Sequence, residues 1–246
     1  MPAVPPYIIE PIWEQFSALL PKRNVDHPLG CHRARIPDRL VFEKLVQVLV
    51  FGCAYEKIAG EGCSATTLRR RRDEWIGSGV VDALREMALE AYDRIIGLEL
   101  SDVAVDAKGI PLAVVSAPAN RHDSPLLGRT LDGVLESVGG LPEEASVHLD
   151  RGYDSNVTRR LLEDRGLLGV IWEKGKPAPL EAGLRWVVER TNSWHNAHKK
   201  LVWCTERRGK VIDFWIAFSD VIIIVRRLIR EAWTRYRWET RPPRRP

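Results

Sequence analysis

Cysteine is scarce in this chain of 246 residues, and the four that occur (Cys31, Cys53, Cys63 and Cys204) form no CxxC pair. That spacing excludes a zinc ribbon, and no secretory signal precedes them to argue for disulfides. A long hydrophobic run is also lacking. The most apolar stretch, Val211 to Val225, is too short to span a bilayer and contains Asp213 and Asp220. His195 and His198 lie one helical turn apart with no third ligand evident, so they read as surface histidines rather than a metal pair. There is no internal repeat, and low complexity is confined to Arg241–Pro246. These absences lead to the expectation of a soluble, reduced, cytoplasmic protein without a membrane partner.

What is present is an ordinary globular composition, 45% hydrophobic and 28% charged, in a chain long enough for one large domain or two small ones. The net charge of +4 is modest, but it is unevenly spread. Residues 1–75 carry +2, residues 76–184 carry −7 and residues 185–246 carry +9. An acidic centre between basic flanks suits a protein that gathers carboxylates in the middle and holds a polyanion at its edges.

The first hundred residues read as helices. Ile8, Ile9, Ile12, Trp13, Phe16, Leu19 and Leu20 repeat at helical spacing and stop at Pro21. Residues 22–37 read as a loop. Asp38 opens a second helix with Leu40, Val41, Leu45, Val48, Leu49 and Phe51 on one face. A turn through Gly60 and Gly62 follows, and Ser64 then precedes a short basic helix carrying Arg69, Arg70, Arg71 and Arg72. Helix, glycine-bearing turn and basic helix outline a helix-turn-helix, with the arginines expected on DNA phosphates. A further helix covers 80–96.

The middle of the chain changes period. Val103–Val105 and Ile110–Val115 are β-prone runs about a hairpin-like turn, Asp106-Ala107-Lys108-Gly109. Leu126–Leu135 reads as helix, Ala145–Leu149 as strand, Ser155–Asp164 as helix and Leu168–Trp172 as strand. From Gly183 to Arg237 the pattern is helical. Strands with helices between and after them predict a mixed α/β domain. Asp106 and Asp150 each follow an apolar strand, and Glu189 lies in a helix rich in Trp and Arg. Three such carboxylates can hold two divalent cations close together, the arrangement that serves in-line phosphoryl displacement. Arg151, Arg190, Lys199 and Lys200 stand where they could clamp phosphates, and Trp186, Trp194, Trp203 and Trp215 could stack on bases or fill the core.

Three ordered blocks carry a family resemblance. They are Asn120-Arg121-His122-Asp123-Ser124 after Gly109-Ile110-Pro111-Leu112, then His148 to Asp154, then Trp186 to Trp194 with Glu189-Arg190-Thr191 at its centre. Together they resemble the IS-five family of DDE transposases of prokaryotic insertion sequences, and the stretches around Pro37-Asp38-Arg39 and Leu68 to Gly79 resemble that family's leading helical domain. The resemblance implies an RNase H-like catalytic fold and a Mg²⁺-dependent triad, with Mn²⁺ as a substitute. It also implies duplex DNA, as terminal inverted repeats and target, for the partner, with a homodimer on DNA. By motif, Asp150 is the second acid and Glu189 the third. Relatives separate the first acid from the Gly-Ile-Pro-Leu strand by a loop and a further strand. Here Asp106 is followed at once by the later turn, as if a deletion had joined two similar Val-Asp positions, so the sheet is expected to be short.

The resulting expectation is a helical, helix-turn-helix-like DNA-binding domain at 1–98 and an RNase H-like domain with a shortened sheet and a basic helical end at 99–246. Its activity is metal-dependent phosphodiester cleavage and strand transfer at element ends. Two alternatives stand beside it at this point: an internally deleted remnant that binds DNA with little or no cleavage, and a regulator that uses only the helices of residues 38–77.

Overall fold

The computed structural model describes residues 3–22, 35–60, 62–100, 108–118, 120–143, 145–149, 151–171 and 185–236, with backbone alone for 185–188. The chain divides into two compact units, Met1–Ala88 with His195–Pro246, and Leu89–Trp194. The sequence reading had grouped the C-terminal helix with residues 99–194. In the structure its apolar face packs among the N-terminal helices, because that is where matching apolar stripes are available.

In the first unit, α1 (Pro6–Leu19) buries Ile8, Ile9, Ile12 and Phe16 along one stripe. It ends where expected, since Pro21 pushes Leu20 into an extended conformation. Helix α2 (Asp38–Phe51) buries Val41, Phe42, Leu45, Val46, Val48 and Leu49. Its end is set by Gly52, whose left-handed conformation lets its N–H bond the Val48 carbonyl. A short helix absent from the sequence reading, α3 (Tyr55–Ile58), precedes α4 (Ala65–Ser78). Ser64 caps α4 by accepting from the Thr67 N–H at 3.2 Å. The first residues of α5 (Val80–Ile95) add Val80, Val81 and Leu84 to the core.

The basic helical stretch read from 183 to 237 is interrupted among the described residues. It forms α8 (Arg185–Asn196), α9 (Lys199–Val202) and α10 (Gly209–Tyr236). Helix α10 is long and almost wholly buried from Phe214 to Ile224. Phe16, Phe42, Trp75 and Phe218 meet as an aromatic cluster, with Phe16 edge-on to Trp75 at 4.7 Å between centroids. Among the described residues no helix is long and apolar enough to cross a membrane.

Asp220, which interrupts the apolar run of α10, is buried and satisfied rather than exposed. It accepts from Arg85 at 3.0 Å and contacts His195 Nε2 at 2.7 Å. The neighbouring Ser219 hydroxyl lies 2.6 Å from His198 Nδ1. The histidines are therefore not the surface pair the spacing suggested. His198 is only 3% exposed. Burial, with Arg226 and His195 nearby, depresses its pKa to about 4.

The second unit holds the strands. β1 (Ser146–Leu149) and β2 (Leu168–Ile171) pair in parallel, Ser146 opposite Leu168 and Leu149 opposite Ile171. A parallel pair needs a crossover, and α7 (Asn156–Glu163) provides it. Leu162 of α7 packs so closely on β2 that a Cβ at Gly169 would lie 2.6 Å from its Cδ1. Helix α6 (Leu127–Val138) turns Leu127, Leu131 and Val134 inward. Among the described residues no strand is assigned at 110–115. Ile110 and Leu112 are buried, and Pro111 between them has no N–H to give to a ladder. The segment packs on α6, where a Cβ at Gly133 would lie 3.3 Å from that of Ala113. Val103–Val105 and Trp172, the other parts of the expected strands, lie outside the described residues.

Candidate active site

Of the three expected acids, Glu189 is described, and Asp106 and Asp150 lie outside the described residues. Their surroundings are described. Glu189 is exposed on α8, with Arg190 half-buried and Thr191 fully buried beside it. Thr191 Oγ1 donates to the Gly109 carbonyl at 2.7 Å. Gly109 sits three residues after Asp106 in sequence and has φ +85°, a conformation that favours glycine. A Cβ there would come within 3.1 Å of Thr191 Oγ1 and 3.2 Å of Arg190 Nε. Glycine at 109 thus serves two ends, the turn and the close approach to α8. The result is a tie between the segment that follows the expected first acid and the helix that carries the expected third.

Lys108 extends this tie. Its Nζ lies 3.2 Å from Glu99 and 3.4 Å from the Gly97 carbonyl, fastening the segment to the residues that follow α5. Arg190 stacks its guanidinium over Trp194 at 5.3 Å. On the strand side, β1 runs into Asp150 through Leu149, which is buried, and a single tight turn, Arg151–Tyr153, follows. Val147, Leu149 and Tyr153 line one wall of an apolar cleft, and Leu127, Leu131 and Val134 line the other. Arg151 is exposed, and Asn120 and Asp123 are exposed at the turn before α6.

Among the described residues no group of three His, Cys, Asp or Glu side chains stands ready for a metal. The expected donor set draws two of its three members from outside those residues. Chemically, three carboxylates suit a hard, oxygen-seeking divalent cation and not a soft one.

The basic residues expected on DNA separate into two groups. Arg71 is 1% exposed; it pairs with Asp38 and Glu74 and donates to the Ile36 carbonyl. Arg72 is also buried, bonded to Asp73 and the Tyr55 hydroxyl. Lys200 is buried against Glu206 at 2.9 Å. These three are occupied inside the first unit. Arg69 is half-exposed and pairs with Glu56, while Arg70 and Lys199 are exposed. The reason is geometric, since consecutive helical residues are about 100° apart and four in a row cannot share one face. Of the four tryptophans considered for stacking, Trp215 is core and Trp203 is exposed. Trp194 packs under Arg190, and the side chain of Trp186 lies outside the described residues. The Thr191–Gly109 tie was missed from sequence because Gly109 was read only as a turn residue.

Comparison with known proteins points to one class of enzyme. Residues 9–85 match the family described as "Putative transposase of IS4/5 family", and residues 101–217 match the "Transposase DDE domain". Over these two successive stretches the chain is similar to the DDE transposases of insertion sequences. It is similar to the Burkholderia cepacia protein named "Putative transposase for insertion sequence element IS402", with 36% identity over 126 residues. That alignment covers 49% of this chain and 60% of the relative, so the chain spans less than two thirds of the curated relative it matches. No solved structure matches it.

Proposed function

We propose that this protein catalyses metal-dependent phosphodiester cleavage and strand transfer at the ends of an insertion sequence, with Asp106, Asp150 and Glu189 as the metal-holding acids. The observation that carries the reading is the Thr191–Gly109 hydrogen bond, because it joins the neighbourhoods of the first and third acids through a buried contact. The parallel β1–α7–β2 unit, in which β1 ends at Leu149, supports an RNase H-like architecture with Asp150 following that strand. The metal is Mg²⁺, with Mn²⁺ as a substitute; a bound pair would activate the attacking oxygen and stabilise the leaving one. Duplex DNA is the substrate. Arg69, Arg70, Arg151, Arg190 and Lys199 are the contacts to its phosphates, and the helices of residues 38–78 form the DNA-binding part. On DNA the protein acts as a homodimer.

The test is cleavage of a duplex bearing the element's own ends, with Mg²⁺ or Mn²⁺. The wild-type chain should cut, and Asp106→Ala, Asp150→Ala and Glu189→Ala should each abolish cutting while leaving binding in EDTA intact. Undiminished cutting by Glu189→Ala would remove Glu189 from the site. Undiminished cutting by Asp106→Ala would remove the first-acid assignment.

A further inference from the structure

Between α9 and α10 the chain makes a turn whose tip is unusually apolar for a surface loop. Val202 is 45% exposed and Trp203 61% exposed, and Cys204 is exposed beside them. Tryptophan is rarely left so open unless it meets a partner. The base of the turn is held firmly. Lys200 and Glu206, on either side of the tip, pair at 2.9 Å, and both are largely buried. Glu206 also contacts Arg72 at 3.7 Å and the Tyr55 hydroxyl at 3.3 Å. The Trp203 N–H bonds the Lys199 carbonyl at 2.9 Å, and Arg208 reaches Asp73 at 2.8 Å. Trp203 is thus presented by a loop closed with an internal ion pair.

The exposed charges within the turn itself are all positive. Lys199, Arg207, Arg208 and Lys210 are exposed, and the one carboxylate of the turn, Glu206, is directed inward by Lys200 and Arg72. An open indole in a turn whose exposed side chains are rich in cations is poorly suited to an apolar protein groove. It suits a polyanion that also offers a flat aromatic face. In an intact duplex the base faces are covered by their neighbours, so the indole can stack only on a base that is unpaired.

We propose that the turn 202–210 is a binding site for an unpaired nucleotide of DNA, with Trp203 stacking on the base and Lys199, Arg207 and Lys210 holding the flanking phosphates. The inference rests on the transposase reading for its choice of nucleic acid, but its test needs no catalysis. The full chain is titrated in EDTA against two labelled duplexes of mixed sequence, one blunt and one with a five-nucleotide single-stranded tail containing 2-aminopurine. Trp203→Ala should weaken binding of the tailed duplex about tenfold, as expected for loss of one base stack, and lose the 2-aminopurine quenching. It should change blunt-duplex affinity less than about twofold. Trp203→Phe should keep most of the preference. Arg207→Ala combined with Lys210→Ala should weaken the tailed duplex more than the blunt one and flatten the salt dependence of the tailed one.

Equal effects of Trp203→Ala on both duplexes, or none on either, would overturn the assignment, as would loss of self-association with DNA binding unchanged. Failure of cleavage with the tail preference intact would count against the catalytic reading alone. Normal cleavage with no tail preference would count against this one alone.

Discussion

Replacing Thr191 with valine keeps a β-branched side chain of nearly the same volume in α8 and deletes one hydroxyl. That hydroxyl donates to the Gly109 carbonyl at 2.7 Å, and Thr191 is 4% exposed, so water is poorly placed to substitute. Taking a donor from a buried carbonyl costs about 1–3 kcal/mol. For a chain of this size that is a fall in Tm of roughly 2–12 °C. The effect on activity follows from position, since Gly109 stands three residues after Asp106 and Thr191 two after Glu189. If loosening the tie lets the two segments separate by about 1 Å, cleavage should fall on the order of 10²-fold. Thermal melts monitored by circular dichroism give the first quantity, and cleavage of element-end duplex at saturating Mg²⁺ gives the second. Thr191→Ser, which restores the hydroxyl, should recover most of both. A valine variant with lowered Tm but wild-type cleavage would show that the tie stabilises the unit without positioning the acids. A variant unchanged in both would refute the reasoning entirely.

Other outcomes follow from the first unit. His198 has its pKa depressed from 6.5 to about 4, so between those values the unfolded chain binds more protons than the folded one. Its contribution to stability is complete above about pH 6.5 and is lost as pH falls toward 4; between pH 7 and 5 the loss is about 2 kcal/mol. Urea melts of His198→Gln should lack that part of the pH slope, and a slope equal to wild type would refute it. Gly52→Ala would place a Cβ 2.7 Å from the Lys199 carbonyl carbon at φ +65°, and should cost roughly 2–4 kcal/mol. Gly62→Ala, also at positive φ but with open space around it, should cost only the conformational part, which urea melts of the pair will separate. Arg70→Ala should weaken duplex binding in a salt-dependent way without altering the melt. Arg71→Ala should instead cost about 2–4 kcal/mol, the low end for a broken buried pair because Asp38 and Glu74 still reach solvent. If both arginines behave alike in the melt, the division of the run into inner and outer residues is wrong.

The sequence by itself determined the local pieces of this protein. The apolar stripes of α1 and α2, the stop before Pro21 and the Ser64 cap are legible because each depends on residues within a turn or two of one another. The order of β1, α7 and β2 is legible for the same reason. The motif blocks around Glu189 likewise sufficed to indicate the family, since they are contiguous text. Tertiary structure alone decided which like residues became unlike. Arg70 and Arg71 are neighbours in sequence, yet one faces water and the other Asp38, thirty-three residues away. His198 became buried because Ser219 of α10 lies against it, and Trp203 stayed exposed because the Lys200–Glu206 pair closes the loop beneath it. The tie between Gly109 and Thr191 spans eighty-two residues. Sequence periodicity reports which side of its own helix a residue occupies. It carries no information on what the rest of the chain brings to that side, and burial, pairing and pKa are decided there.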